Sequence, residues 1–289
     1  MRWIALTIAL LTAAPLAAQD RTRIVAVNHP LAYFAKRLAG DAAEVVYPVP
    51  EGRDPSFWRP GIADIAAIQQ ADLIVLNGAG FADWVKKASL PRSRIVDTSR
   101  GFAGEFIATD TVTHSHGADG AHSHTGTASY TWMDFSLAER QAEALSISLK
   151  RMLPEADVDP VLDALRNDLQ ALHDRATEIA ARLEGQTLIA SHPRYQYFAR
   201  AYGLDIRSVS WDAGAAPDPA QIDELTGLVQ DTGATIFLWE AAPPEDARTA
   251  VTETGLRDVI FPPLAVPGPS GDFVADMNAA LDRLAALSG

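Results

Sequence analysis

Four of the seven histidines in the chain lie within the segment THSHGADGAHSHTG, from Thr113 to Gly126. They form two His-x-His pairs with glycines between them, which predicts a flexible loop that is rich in imidazole nitrogens. Neutral imidazoles bind zinc and copper ions near neutral pH. The segment therefore predicts an accessory metal site, part of a site elsewhere, or a surface loop that binds metal weakly. The four histidines are His114, His116, His122 and His124.

Three further side chains that can bind metal stand at the ends of predicted strands. His29 follows RIVAVN, His192 follows TLIAS, and Glu240 ends ATIFLWE. A single histidine at a strand end is more often a structural hydrogen-bonding residue than a ligand. Because the carboxyl ends of parallel strands face one cleft, three such residues together favour a metal site there.

Catalytic motifs are lacking in the sequence. It contains no HExxH pair, no GxSxG elbow and no P-loop. NGAGFADW after a predicted strand has two of the glycines of a dinucleotide loop but not the third, which favours a tight turn before a helix. Ser191 and His192 are adjacent, a spacing at which nucleophile and base rarely face each other. We predict that the protein is not an enzyme.

Composition limits the partners and the ligand types. The net charge is -13 and there is no cysteine, so a cationic ligand is favoured, nucleic acid is disfavoured, and thiolate ligands are excluded. The apolar run that ends at Ala18 has the pattern of a bacterial signal peptide, residues 1–18, and is short for a membrane span. We expect an exported protein of the periplasm.

Predicted strands and helices alternate through both halves of the chain, which is typical of an α/β fold with parallel sheets. Between the halves, a helix over about 160–184 carries apolar residues at spacings of three and four. We expect an N-terminal lobe (19–155), a connecting spine helix (156–185) and a C-terminal lobe (186–289). A coiled-coil dimer is the alternative for the spine, but its apolar seam is short, so we expect a monomer.

Two segments carry a resemblance to a known family. ADLIVLNGAGFADW and SHPRYQYFARAYGL are similar to segments of the periplasmic zinc/manganese-binding proteins of ABC transporters. The resemblance extends over essentially the whole chain after the signal peptide. It implies two lobes with an inter-lobe metal site, a His-rich loop that collects metal, and a membrane permease as partner.

The same resemblance implies three histidine ligands and one carboxylate, from four segments. Here Ser56 stands in GRDPSFWRP where the first histidine is usual, and Tyr130 in YTWMDF replaces the second. His192 matches the third ligand. Pro262 in FPPLAVPG replaces the carboxylate. A phenolate of Tyr130 is a possible ligand, but a phenol with a pKa near 10 needs a metal ion to ionise it.

Three hypotheses account for these replacements. The site is rebuilt from His192 with Glu240, His29, Tyr130 or the loop histidines; or the fold has changed its ligand; or the protein no longer binds a ligand and serves as an interaction partner. We favour the first, and predict an ABC importer receptor for zinc, with manganese or another divalent metal as the alternative cargo.

The main rival is a receptor of the same fold that binds a small organic solute in an aromatic cleft; a surface adhesion protein is the third class. Packing within the core is the other explanation for at least half of these aromatic side chains. The aromatic candidates are Phe57, Trp58, Tyr130, Trp132, Tyr195 and Trp211.

Overall fold

The computed structural model describes residues 21–116, 120–212 and 214–288. Side chains are described throughout these ranges except for residues 110–116 and 120–125. The predicted signal peptide (1–18) lies outside them. None of the helices in the described ranges combines the length and the apolar character that a bilayer span requires.

The N-terminal lobe is built on a four-stranded parallel sheet of order β2-β1-β3-β4. Its strands are short apolar runs, and the central pair β1 and β3 is buried on both faces, as parallel sheets require. The elements of this lobe are β1 (Thr22–Ala26), α1 (His29–Ala39), β2 (Ala43–Val46), α2 (Ile62–Gln69), β3 (Leu73–Leu76), β4 (Ile95–Asp97) and α3 (Phe135–Met152).

The C-terminal lobe repeats the architecture with a parallel sheet of order β10-β9-β7-β8. The last helix of the lobe returns to pack on α4 and α1. The elements are β7 (Thr187–Ala190), α5 (Gln196–Tyr202), β8 (Asp205–Ser208), α6 (Pro219–Thr232), β9 (Ile236–Trp239), α7 (Glu245–Glu253), β10 (Arg257–Ile260) and α8 (Phe273–Ala285). The predicted α/β fold with two lobes is therefore confirmed.

Helix α4 (Val158–Arg182) connects the two sheets and packs against α3, α1, α5 and α8. All seven residues of its predicted apolar stripe are buried. They belong to one continuous apolar core that includes β1 of the first lobe and β7 of the second. The two lobes are thus joined by packing as well as by the chain. The stripe comprises Leu162, Leu165, Leu169, Leu172, Ala176, Ile179 and Leu183.

The His-rich segment differs from the predicted loop. Residues Ala108–His116 (β5) and Gly120–Thr127 (β6) form a two-stranded antiparallel sheet, in which His114 pairs in register with His122. The segment before the histidines, ATDTVT, is rich in β-branched residues, which favour a strand. The side chains of the four histidines lie outside the described residues, so their predicted metal role stays a prediction.

The turn after β3 also differs from expectation, because FADWVKKA forms only a short 3-10 turn at Asp83–Lys86 instead of a helix. Its entry is set by Gly78, whose φ is +75°. A Cβ at Gly78 would lie 1.9 Å from the Ser99 hydroxyl and 2.3 Å from the Asp97 carboxylate. Ser99 and Asp97 hydrogen-bond each other, so neither can move without breaking that contact.

We predict that Gly78→Ala lowers the free energy of unfolding by roughly 2–4 kcal/mol, from left-handed backbone strain plus overpacking. Gly80→Ala is the matched control, because Gly80 has a similar φ of +77° with nothing within 4 Å of a Cβ. It should cost about 1 kcal/mol. Urea unfolding of both variants measures the difference, and equal losses would contradict the role of the Ser99–Asp97 contact.

Candidate functional site

A buried arginine lies between the two lobes. Arg194 stands in the segment between β7 and α5, and its side chain is only 5% exposed. Nε donates to Glu240 Oε2 at 2.8 Å, and one terminal nitrogen donates to Asp54 Oδ2 at 2.5 Å. The other terminal nitrogen donates to the Tyr130 hydroxyl and, at 3.0 Å, to Ser56 Oγ. One guanidinium therefore has four polar partners.

These partners come from both lobes. Glu240 follows β9, beside the strand that leads to Arg194, so both lie at the carboxyl edge of the C-terminal sheet. Asp54 and Ser56 lie in the loop between β2 and α2, and Tyr130 precedes α3, all in the N-terminal lobe. The guanidinium thus bridges the lobes at the edge where α/β sheets bind their ligands.

Local hydrogen bonds orient the Asp54 carboxylate and the backbone that carries Glu240. Oδ1 of Asp54 accepts from the Ser56 backbone N–H at 2.8 Å and from the Ser56 hydroxyl at 2.6 Å. This Asx turn leaves Oδ2 for the guanidinium. On the other side, the Glu240 backbone N–H donates to the Ser191 hydroxyl at 3.1 Å. The Asp54 carboxylate is thus held within its own lobe, whereas the hydrogen bond at Glu240 fixes its backbone next to Ser191.

The cluster keeps Arg194 charged. Burial lowers the pKa of Arg194, but Asp54, Tyr130 and Glu240 raise it by more, and the net shift is upward. The guanidinium also lies 4.7 Å from the ring centre of Tyr130 and 5.4 Å from that of Phe57, within cation–π range. A buried ion pair of this kind needs all of its partners, because losing one leaves an uncompensated charge.

Tyr130 is a neutral phenol in this setting. Burial raises the pKa of Tyr130 well above its ordinary value, the Arg194 charge lowers it, and Asp54 and Glu240 raise it further. Its hydroxyl accepts from Arg194 and faces Ser56 Oγ at 3.5 Å. The phenolate considered as a metal ligand is therefore not formed in this arrangement.

His192 lies two residues before Arg194 and is buried. Its Nδ1 is 3.0 Å from the backbone carbonyl of Trp211. A carbonyl can only accept, so Nδ1 carries a proton, and in the neutral ring Nε2 has the lone pair. Histidines that bind metals are commonly oriented by such a contact.

His29 stands apart from this cluster. It opens α1, its backbone N–H donates to the Ala265 carbonyl at 2.9 Å, and the carboxylates that act on its ring are Asp276 and Asp272 at the start of α8. Burial lowers the pKa of His29 to about 4, although both carboxylates raise it. The ring is therefore neutral at physiological pH.

Of the predicted site residues, the structure brings Glu240 and Tyr130 together through Arg194, and His192 lies two residues before Arg194 in the chain. Pro262, which follows β10, offers no side-chain donor. Among the side chains that the structure describes, no group of three or more His, Cys, Asp or Glu is arranged to hold a metal ion. The predicted ligand set is thus not assembled as a metal site by the described side chains, and the roles of its members stay predictions.

Sequence reasoning missed Asp54 and Arg194. Asp54 stands within GRDPSFWRP, two residues before the Ser56 that drew attention, and Arg194 follows His192 in SHPRYQYF. A charged residue within the short strand-to-helix connection SHPRY was the available signal for Arg194. No local sequence pattern indicated that the partners of Arg194 would come from the other lobe.

Four of the six aromatic candidates are buried in packing: Tyr130, Trp132, Tyr195 and Trp211. Trp132 contacts Phe81 at 5.5 Å between ring centres and donates from Nε1 to the Pro263 carbonyl at 2.7 Å. Tyr195 donates to the Phe261 carbonyl at 2.6 Å. These side chains fill the core and help to join the lobes.

Comparison with known proteins places the chain among metal receptors. The family model described as "Zinc-uptake complex component A periplasmic" matches residues 24–287. The manganese-binding lipoprotein MntA of Halalkalibacterium halodurans is 24% identical over 232 residues, covering 78% of this chain and 72% of that protein. The zinc-binding lipoprotein AdcA of Streptococcus pneumoniae is 26% identical over 258 residues. That match covers 86% of this chain but only 51% of AdcA, so the chain spans about half of that relative.

A solved structure shares the fold. The Zn(II)-bound ZnuA-like domain of S. pneumoniae AdcA superimposes with a TM-score of 0.75 at 21% identity, over 93% of this chain and 99% of that domain. At this identity the similarity establishes the two-lobed architecture and not the ligand.

We predict that His29 makes the protein less stable in acid. In the unfolded chain a histidine has a pKa near 6.5, against about 4 in the fold. As pH falls from about 6.5 to about 4, the unfolded state therefore takes up a proton that the folded state does not, and stability is lost by on the order of 3 kcal/mol.

Urea unfolding at several pH values, on wild type and His29→Asn, measures this effect. The variant should lose most of the pH dependence in that window. An unchanged slope in His29→Asn would contradict the assignment.

Proposed function

The chain belongs to the family of periplasmic zinc-uptake complex component A proteins, and we propose that it is the receptor that delivers a divalent transition metal to an ABC importer. Members of this family are substrate-binding receptors rather than enzymes, which agrees with the lack of catalytic motifs. The names of the relatives specify zinc in AdcA and manganese in MntA. Zinc is the first candidate cargo and manganese the second.

The observation that carries the proposal is the set of donor groups between the lobes. Asp54 and Tyr130 reach the cleft from one lobe, and Glu240 reaches it from the other. His192, on the second lobe, is buried and already oriented by the Trp211 carbonyl. A protein without cysteine can bind a metal ion through carboxylate oxygens, imidazole nitrogens or a phenol oxygen.

In the arrangement described, these groups do not fit a metal ion, because the guanidinium of Arg194 is bonded to both carboxylates and to Tyr130. A cargo ion therefore requires a rearrangement of the cleft or additional ligands. His29 lies beside Asp276 instead of Arg194. It is therefore the proposed ligand with the least support.

The His-rich hairpin is the proposed source of additional ligands. Its base is fixed next to the cleft: the Ala128 backbone N–H donates to the Ile107 carbonyl at 2.8 Å, and Ile107 N–H donates to the Tyr197 hydroxyl of the C-terminal lobe at 3.3 Å. Strand β6 ends only three residues before Tyr130. We propose that His114, His116, His122 and His124 collect metal and pass it toward His192.

The remaining parts of the proposal concern cellular setting. Export through the signal peptide 1–18 would place the receptor in the periplasm, where it acts as a monomer with the membrane permease of the importer. The acidic surface gives it no affinity for nucleic acid.

The experiment is a zinc and manganese titration against a chromophoric competitor, using residues 19–289 and a variant that lacks 113–126. We expect one ion per chain in the wild type and at least tenfold weaker binding without the hairpin. His192→Ala should abolish the remaining binding, whereas the control His173→Ala, on α4, should leave it unchanged.

Other outcomes distinguish the alternatives. Binding that is unaffected by His192→Ala but lost with the hairpin would make the His-rich segment the metal site and contradict a cleft site. No binding by the wild type would overturn the metal receptor and favour a receptor for an organic solute or an interaction protein.

A further inference from the structure

The four contacts of Arg194 converge on one enclosed point between the lobes. The side chains of Arg194 and Glu240 are 5% and 9% exposed, and that of Asp54 is 33% exposed. Tyr130 and Phe57 contribute ring faces to the same guanidinium. Two carboxylates and two hydroxyls, contributed by both lobes, surround one cation. A receptor for a cation would present the same arrangement to its cargo.

The charge balance of this point limits its occupants. Asp54 and Glu240 contribute two negative charges, and the guanidinium, which is never deprotonated in proteins, compensates one. Removing the Arg194 charge would deprive the Asp54 and Glu240 carboxylates of the cation that they share across the cleft. A divalent ion carries two positive charges, one for each carboxylate, whereas the guanidinium carries one.

Arginine also satisfies the geometry. Its planar fork offers five N–H donors, and here those donors serve two carboxylates and two hydroxyls. A lysine ammonium is a point charge with three donors and cannot reach this spread of partners. The residue type therefore matches a role as a fixed cation.

We propose that Arg194 is a resident cation of the inter-lobe cleft, which occupies the place of the cargo ion and must be displaced before a divalent metal can bind to Asp54 and Glu240. The proposal rests on the proposed metal function for its biological meaning. The competition itself follows from the side chains of this chain alone.

Displacement sets the apparent affinity of the cleft. A ligand that binds a conformation populated to only a small fraction has its affinity reduced by that fraction. Because the ion pairs of Arg194 are buried, the arrangement with the guanidinium outside the cleft is a minor one. The intact receptor therefore binds divalent ions in the cleft more weakly than its carboxylates allow.

The test uses the chain lacking residues 113–126, so that hairpin histidines do not contribute. Arg194→Gln removes the charge and keeps a side chain that can hydrogen-bond. We expect at least a tenfold gain in affinity for Zn²⁺ or Mn²⁺ in a competition titration. We also expect a lower Tm without metal and a larger rise in Tm on adding metal. The control Arg207→Gln, whose exposed side chain pairs with Asp205, should show neither change.

A double variant locates the ion. Arg194→Gln/Glu240→Gln removes one of the two carboxylates and should lose the gain. If Arg194→Gln does not fold, Arg194→Lys serves instead, with an expected affinity several-fold above the parent. An affinity of the folded arginine variant equal to that of its parent, or a gain that persists in the double variant, would overturn the proposal.

The outcomes separate this proposal from the proposed function. If the wild type ignores zinc and manganese but Arg194→Gln binds them, the metal receptor fails and the resident cation stands. If the wild type binds tightly through His192 and Arg194→Gln brings no gain, the receptor stands and the resident cation is overturned.

Discussion

The cleft depends on the hydrogen bonds and ion pairs that the buried guanidinium of Arg194 makes. Two carboxylates from different lobes meet at one point, and like charges cannot stay in an enclosed setting without a partner. Arg194 supplies that partner and hydrogen-bonds Tyr130 and Ser56 with the same group. Arg194 therefore links the two lobes at the cleft, and any ligand of this cleft has to compete with it or bind beside it.

The fold explains why these residues can meet. Parallel sheets deliver the residues after β7 and β9 to one edge of the C-terminal lobe, and the loops of the N-terminal lobe face that edge. The apolar core runs from one sheet through α4 to the other, and the Trp132–Pro263 hydrogen bond adds a polar link between the lobes. Because this core joins the two lobes, polar groups of both lobes come together at the cleft. There they must hydrogen-bond or ion-pair with one another.

The departures from the usual ligand pattern form a consistent set around this guanidinium. Ser56 and Tyr130, which stand where histidines are usual in the resembling proteins, both accept hydrogen bonds from Arg194, as neutral hydroxyls can and cationic groups cannot. Pro262 stands after β10, where the resemblance implies a carboxylate, and Glu240 lies after the neighbouring strand β9. The side chains at positions 56 and 130 thus suit the guanidinium of Arg194, within the two-lobed fold that the family shares.

Local patterns in the sequence determined most of the architecture, because they depend on neighbours along the chain. The alternating strands and helices and the buried stripe of α4 follow from short-range spacing, and the structure agrees with them. The exceptions were local too: FADWVKKA stays a 3-10 turn, and the His-rich segment pairs as a hairpin.

The centre of the cleft was different. His192, Glu240 and Tyr130 were recognisable one at a time, but Arg194 meets Glu240 across 46 residues and Asp54 across 140. Only the tertiary structure determines such a contact, because a buried charge is stable only where the fold brings its distant partners next to it.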